Sequence, residues 1–303
     1  METMKALIKL ARPGQWVKNI FVFTALIFSG LVGNLVAVLD AVIAFGTFSL
    51  VSSAVYYLND FMDMEEDKTH REKKHRPLAA GILPRSVGAI GFVVLSVGSL
   101  VITYIVLGTV STLILFCYLS MNLGYSMGLK HVVIIDVLII SAGFVLRILS
   151  GAAAISRLPS TWLILCGVTI SLFLGFTKRK AEIVYLGDSA AKHRKVLGQY
   201  NESFLDQTIS IVTAATVICY ILYTVDPQTV AMVGSRMLLF SVPPVLYGIF
   251  RYLYLVYHDR SGGDPTRTVF TDIPLLFTGG IWAVLCTVII LFGNSIAELF
   301  SKS

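Results

Sequence analysis

The chain has 303 residues, 56% of them apolar and only 14% charged, with a formal net charge of +6 and a mean hydropathy of +0.79. A soluble domain carries about 25% charged residues, so a soluble globular protein is excluded and the chain reads as an integral membrane protein. Its apolar segments follow one another through short links, which predicts a single membrane domain over residues 1–303 and no nucleic-acid partner.

Residues 1–13 are basic and amphipathic, and no cleavage-site pattern precedes the first long apolar run near Trp16, so no signal peptide is expected. A helix needs roughly 20 residues to cross about 30 Å of hydrocarbon. Nine segments approach that length: about 17–33, 38–58, 87–107, 110–127, 133–154, 160–176, 208–225, 237–257 and 272–293. The expected fold is therefore all-α and polytopic, with nine transmembrane helices. The links 107–110 and 155–160 are short, which predicts antiparallel hairpins around them. Cys117, Cys166, Cys219 and Cys286 all lie inside apolar runs and are expected as buried small hydrophobes rather than disulfide partners.

All but four of the 24 Lys and Arg residues fall on one side of this layout. By the positive-inside rule that side is cytoplasmic, which places the N-terminus and the loops 59–86 and 177–207 inside and the C-terminus outside. Both loops are dense in charge of both signs. That density predicts a polar site for an anionic, water-soluble ligand that meets a lipid from the other direction.

The second apolar segment ends in Asn59, Asp60, Asp63, Glu65, Glu66 and Asp67. Asp60, Asp63 and Asp67 stand at i, i+3 and i+7 and share one face of a helix. Three carboxylates on one face repel one another unless a cation neutralises them. A hard divalent ion such as Mg²⁺ takes oxygen ligands and readily shares a bound phosphate. A magnesium-held diphosphate is one reading of the motif, and a solvated acidic helix end is the other. The loop continues through Arg71, Lys73, Lys74, His75 and Arg76, cations that suit a phosphate chain and that membrane topology alone also accounts for.

Three further constellations carry polar chemistry. Gln15, Lys18 and Asn19 share a helix face beside Arg12, Pro13 and Trp16. Tyr125, Ser126 and Lys130 precede Asp136 and Arg147, which are eleven residues apart and so share a helix face about 16 Å apart. Charges at that depth are costly unless paired or functional. Lys178, Arg179, Lys180 and Glu182 follow the sixth segment. Lys178 and Glu182 form either an ordinary i, i+4 helix pair or part of a phosphate clamp in which Glu182 is a metal ligand.

The pattern Asn59-Asp60-x-x-Asp63-x-x-x-Asp67 after the second span, with a basic loop and a Tyr125-Ser126-x-x-x-Lys130 element after the fourth, resembles the UbiA superfamily of intramembrane prenyltransferases. The resemblance covers essentially the whole chain. It implies a helical bundle with a central cavity, capped by cytoplasmic helices, in which Mg²⁺ holds a diphosphate. Typical members carry a second aspartate-rich motif after the sixth span, where this chain has Lys178-Arg179-x-x-Glu182. Together with Arg12-Pro13-x-Gln15-Trp16-x-Lys18-Asn19 and Gly143-Phe144-Val145-Leu146-Arg147, that departure is similar to the decaprenyl-phosphate phosphoribosyltransferase branch.

The branch implies transfer of 5-phosphoribose from phosphoribosyl pyrophosphate to a polyprenyl phosphate, feeding cell-wall biogenesis at the bacterial inner membrane. A donor with an extra phosphate and an anionic acceptor call for more cations at the site. The expected metal ligands are Asp60, Asp63 and Asp67, helped by Glu182. The expected substrate-binding residues are Gln15, Lys18, Asn19, Asn59, Arg71, Lys74, Arg76, Tyr125, Lys130, Arg147, Lys178 and Arg179. Two rivals stand beside this reading: a polyprenyl-diphosphate aromatic prenyltransferase of quinone or haem biosynthesis, and a non-enzymatic transporter.

Overall fold

The computed structural model describes residues 2–69, 73–190, 194–258, 268 and 271–301, with Thr69, Asp188 and 294–301 described by their backbone alone. Every regular element among them is helical. The principal α-helices are α1 (Glu2–Ala11), α2 (Thr24–Phe28), α3 (Leu35–Met62), α4 (Met64–Thr69), α5 (Arg85–Met127), α6 (Ile135–Ala154), α7 (Thr161–Leu186), α8 (Glu202–Val225), α9 (Pro227–Val233), α10 (Val242–His258) and α11 (Ile273–Ser301). Among the described residues, seven stretches are long and apolar enough to cross a membrane: Leu35–Met62, Arg85–Met127, Ile135–Ala154, Thr161–Leu186, Glu202–Val225, Arg236–His258 and Ile273–Gly293. The protein is a multi-pass membrane protein.

Seven differs from the nine expected segments for two physical reasons. The segments 87–107 and 110–127 run together as α5, interrupted at Gly108, whose φ of 80° and ψ of −174° are non-helical. A straight helix of that length would reach about 65 Å, twice the hydrocarbon thickness. The chain instead reverses: Gly88 near its start packs against Phe61, and Ser126 near its end donates to Asn59, so both ends of α5 meet the same end of α3. The reversal falls inside the link 107–110, at a glycine whose positive φ is accessible without strain.

The expected segment 17–33 is not one α-helix. It comprises a 3₁₀ helix over Pro13–Phe23, the short α2, and a 3₁₀ turn over Leu31–Gly33. Three residues per turn bring every third side chain into line, so Trp16, Asn19 and Val22 face the same way. Trp16 Nε1 donates to Ser53 Oγ at 3.0 Å, Asn19 Nδ2 donates to Ser49 Oγ at 3.0 Å, and Val22 is fully buried. Ser49 and Ser53 are one turn apart on α3, so the tighter helix matches its polar rungs to those of its neighbour.

The chain forms two compact units. The first comprises residues 1–27, 31–130 and 146–158, and the second 28–30, 131–145 and 159–303. In the first, Val22, Phe48, Val51, Leu115 and Tyr118 form the core, and the Tyr57 ring occupies the space that a side chain at Gly91 would need. In the second, Phe173, Phe176, Leu205, Ile209 and Tyr252 pack around Val137, while Leu163, Tyr223, Leu238 and Cys286 form a further cluster. Of the four cysteines only Cys286 is buried, and Cys117 is exposed. Apolar side chains such as Ile105, Val110 and Phe277 are also exposed. Hydrocarbon is as apolar as these groups, so a membrane helix gains little by hiding them.

Candidate functional site

The acidic motif lies where α3 gives way to α4. Asp63 is the C-cap of α3, with φ −88° and ψ 5°, a sparsely populated region in which active-site residues are often found. The backbone bonds Asp63 N to Asn59 O and Asp67 N to Asp63 O, both 2.8 Å, carry the helical spacing across the break. Asp60 and Asp67 are buried, and Asp63 is half-buried.

Each of these carboxylates meets a cation. Asp60 Oδ1 accepts from Arg12 Nη2 at 2.5 Å and from Arg76 Nη1 at 3.0 Å. Asp67 Oδ2 accepts from the same Arg76 nitrogen at 2.6 Å. Asp63 Oδ1 accepts from Lys130 Nζ at 2.6 Å, and Asn59 Oδ1 accepts from Ser126 Oγ. Asp60 and Asp67 thus share one guanidinium nitrogen, whereas the break at the end of α3 turns Asp63 toward Lys130. In this arrangement no group of three His, Cys, Asp or Glu side chains among the described residues is close enough to hold a metal ion. The donor set nevertheless fits a hard cation. Two buried carboxylate oxygens converge on one cationic nitrogen, which stands where a positive ion would be neutralised.

Of the other expected residues, Lys74 is exposed on the 3₁₀ turn Lys73–His75, and Tyr125 is half-buried beside Ser126. Gln15 and Lys18 are half-buried on the segment Pro13–Phe23. Arg71 lies outside the described residues.

Asn19 and Arg147 lie deep in the first unit. Arg147 Nε donates to Asn19 Oδ1 at 2.8 Å and Nη2 donates to Tyr118 OH at 3.2 Å. Its guanidinium also lies over the Phe48 and Tyr118 rings, 5.0 and 5.1 Å from their centroids. Aromatic faces and amide oxygens substitute for water around the buried charge.

Lys178, Arg179 and Glu182 belong to the second unit, where Arg179 is 1% exposed. Arg179 Nε donates to Asp136 Oδ2 at 2.8 Å and Nη1 donates to Glu182 Oε2 at 2.5 Å. Glu182 therefore pairs with Arg179 at i, i+3 rather than with Lys178 at i, i+4. Asp136 also accepts from Tyr200 OH at 2.7 Å, and that hydroxyl accepts from Ile134 N at 2.8 Å. The second bond holds Ile134 at φ 71°, an unusual value for a β-branched residue. Burial, reinforced by the bond to Asp136, raises the Tyr200 phenol above its ordinary range, so the hydroxyl stays a donor. Lys180 bonds Glu202 and Asp206 at 2.9 and 3.1 Å.

The sequence put Arg12 beside Gln15, Lys18 and Asn19 without assigning it a role or linking it to the aspartates, and it did not reveal Ser126, Tyr118 and Tyr200 as partners of site residues. The dipeptide Arg12-Pro13 ahead of the first apolar run was the available signal for the first. Tyr118 and Tyr200 carry none, because their partners are more than 25 residues away in the chain.

This architecture defines a class. The UbiA prenyltransferase family model matches residues 20–277, and the chain belongs to that family. Solved structures agree on the fold. A UbiA homolog from Archaeoglobus fulgidus bound to GPP and Mg²⁺ superimposes with a TM-score of 0.67 at 13% identity, covering 97% of this chain and 99% of that one. A digeranylgeranylglyceryl phosphate synthase structure gives a TM-score of 0.67 at 16% identity, covering 97% and 100%. Within the family, the chain is 33% identical to the Corynebacterium glutamicum protein named decaprenyl-phosphate phosphoribosyltransferase over 94% of this chain and 86% of that one. It is 32% identical to the protein of the same name from Mycolicibacterium smegmatis, over 93% and 92%.

Proposed function

We propose that the protein is a glycosyltransferase that moves 5-phosphoribose from phosphoribosyl pyrophosphate to a polyprenyl phosphate and releases pyrophosphate. One observation carries this reading: the likeness to proteins named decaprenyl-phosphate phosphoribosyltransferase runs over nearly the whole chain. In this chain each of Asp60, Asp63 and Asp67 is matched by a cation. Such a site suits a ligand that brings a metal and several phosphates together.

In this reading Asp60, Asp63 and Asp67 hold Mg²⁺. The bound ion supplies charge neutralisation for the departing pyrophosphate. Arg76 and Lys130, released from the carboxylates, bind phosphate oxygens, and Arg71 and Lys74, which precede Arg76 in the sequence, are further candidates for the same phosphates. Asn59, fixed by Ser126, orients the acidic helix end. The C1–O bond of the ribose breaks with its electron pair leaving on pyrophosphate. A lone pair of the ionised lipid phosphate forms the new C1–O bond, so no strong general base is required. The work of the protein is alignment and charge stabilisation. Gln15, Lys18, Tyr125 and Lys178 are the remaining substrate-binding candidates. Asn19 and Arg147 brace one another, and Arg179 and Glu182 do the same, so these four act through their neighbours.

Nine crossings are counted when the two halves of α5 and the segment 13–33 are each included. The N-terminus, α1 and α4 then face the cytoplasm of a bacterial inner membrane and the C-terminus lies outside. The experiment is direct. Membranes containing the protein, given radiolabelled phosphoribosyl pyrophosphate, polyprenyl phosphate and Mg²⁺, yield an organic-soluble labelled lipid. Asp63→Asn lowers that yield by several orders of magnitude while the protein still inserts and purifies. Label that stays in the aqueous phase with wild-type protein, or near-full turnover in Asp63→Asn, rejects the reading.

A further inference from the structure

One cation at the acidic motif has no role in the mechanism above. Arg12 has φ 51° and ψ 59° and immediately precedes Pro13. A non-glycine residue is strained in this left-handed region, and a following proline favours extended backbone instead. Strain of this kind persists only where the surroundings over-determine it, and it is concentrated at ligand clamps and switch regions.

The surroundings of Arg12 are well defined. Ser53 Oγ donates to the Ala11 carbonyl at 2.9 Å, and Gln15 N donates to the Arg12 carbonyl at 2.9 Å, which fixes the backbone on both sides. The guanidinium lies over the Tyr56 ring, 4.9 Å from its centroid, and donates to Asp60 Oδ1. The two ends of this pair differ in access: the Asp60 side chain is 2% exposed and that of Arg12 is 28% exposed. The carboxylate is fixed inside the protein, whereas the arginine reaches it from an open side.

Charge makes the pair consequential. Arg12, Arg76 and Lys130 balance Asp60, Asp63 and Asp67, and two guanidinium nitrogens crowd onto one oxygen of Asp60. A divalent ion arriving alone must displace those cations into a region of unbalanced positive charge. A metal–diphosphate complex brings anionic oxygens that accept the displaced cations. We propose that Arg12 is a substrate-contacting residue, holding Asp60 before the donor arrives and transferring its guanidinium to the donor's pyrophosphate as the metal takes Asp60. Arg12 thereby makes metal and diphosphate binding interdependent. This inference rests on the reading of Asp60 as a metal ligand.

The test measures binding without turnover. Free Mn²⁺, used in place of Mg²⁺, is followed by its paramagnetic resonance signal with detergent-purified protein, with and without inorganic pyrophosphate. Wild-type protein binds Mn²⁺ weakly alone, and pyrophosphate tightens binding about five-fold or more, within the usual range of site-to-site coupling. In Arg12→Gln, Mn²⁺ alone binds more tightly than to wild type, and the gain from pyrophosphate shrinks to the part that Arg76 and Lys130 supply. A purely structural role would weaken both quantities together. Arg12→Met keeps the stem over Tyr56 and is measured in the same way, so it decides the matter if Arg12→Gln does not fold. Wild-type protein that binds no Mn²⁺ under either condition overturns the metal-site reading itself. Wild-type coupling that survives unchanged in the variants, or variants weakened in both measurements, overturns the role of Arg12 alone.

Discussion

At the scale of single residues, buried polar groups and close contacts set the tolerances. Asn19 accepts from Arg147 and donates to Ser49, so one amide ties the 3₁₀ segment to α3 and to the buried guanidinium. Nearby, Gly151 lets α6 approach the backbone of the same segment: a Cβ there would collide with the carbonyl of Val22. Gly151→Ala is therefore expected to destabilise the protein by about 1–3 kcal/mol, the usual cost of overpacking a core. Gly98 has nothing within 4 Å of its would-be Cβ, so Gly98→Ala holds or raises stability through better helix propensity, worth up to about 1 kcal/mol. In detergent Gly151→Ala should melt below wild type and Gly98→Ala should not, and equal melts of the two variants would refute the close-approach argument.

At the scale of elements, chain ends and reversals are set by a few polar contacts. Ser160 Oγ caps α7 by accepting from Leu163 N at 3.2 Å. Asp272 does the same for α11, accepting from Leu275 N at 2.9 Å, and it also ties α11 to α10 through Arg251 Nη2 at 2.8 Å. The hydrogen bond from Arg251, assisted by the Leu275 amide, lowers the Asp272 carboxyl below its ordinary value. A depressed carboxyl stabilises the native state fully above its unfolded value, near 3.9. That contribution is lost as pH falls through the folded value. Melting temperature should therefore be insensitive to this pair between neutrality and about pH 5 and should fall below about pH 4. Asp272→Asn removes the part of the acid-side fall that belongs to the pair. An unchanged acid limb in the variant would show that the contact does not matter to stability.

At the scale of the whole molecule, the charge pattern of the sequence assigns most basic residues to one side of the apolar segments, and the proposed function puts the donor on that side. The topology is checked by impermeant thiol labelling of intact cells. Arg157→Cys should react from outside, whereas Glu65→Cys, in the acidic motif, should react only after the membrane is opened. Labelling of Glu65→Cys in intact cells would reverse the orientation and remove the cytoplasmic donor from the proposal.

Much of this protein is determined by local sequence. Apolar runs of membrane length need no partner to be recognised, because a helix in hydrocarbon must satisfy its own backbone. Likewise, the spacing of Asp60, Asp63 and Asp67 is a property of one helix end, and the reversal at Gly108 follows from a glycine in a short link. Tertiary structure alone decided which cation meets each carboxylate, that Arg147 is buried against Asn19 and Tyr118 and Arg179 against Asp136 and Glu182, and that residues 13–23 adopt a 3₁₀ helix matched to the serines of α3. Those outcomes depend on residues such as Arg12 and Asp60, or Asp136 and Tyr200, which are distant in the chain. A buried charge takes whatever partner packing delivers to it, and no local pattern encodes which partner that will be.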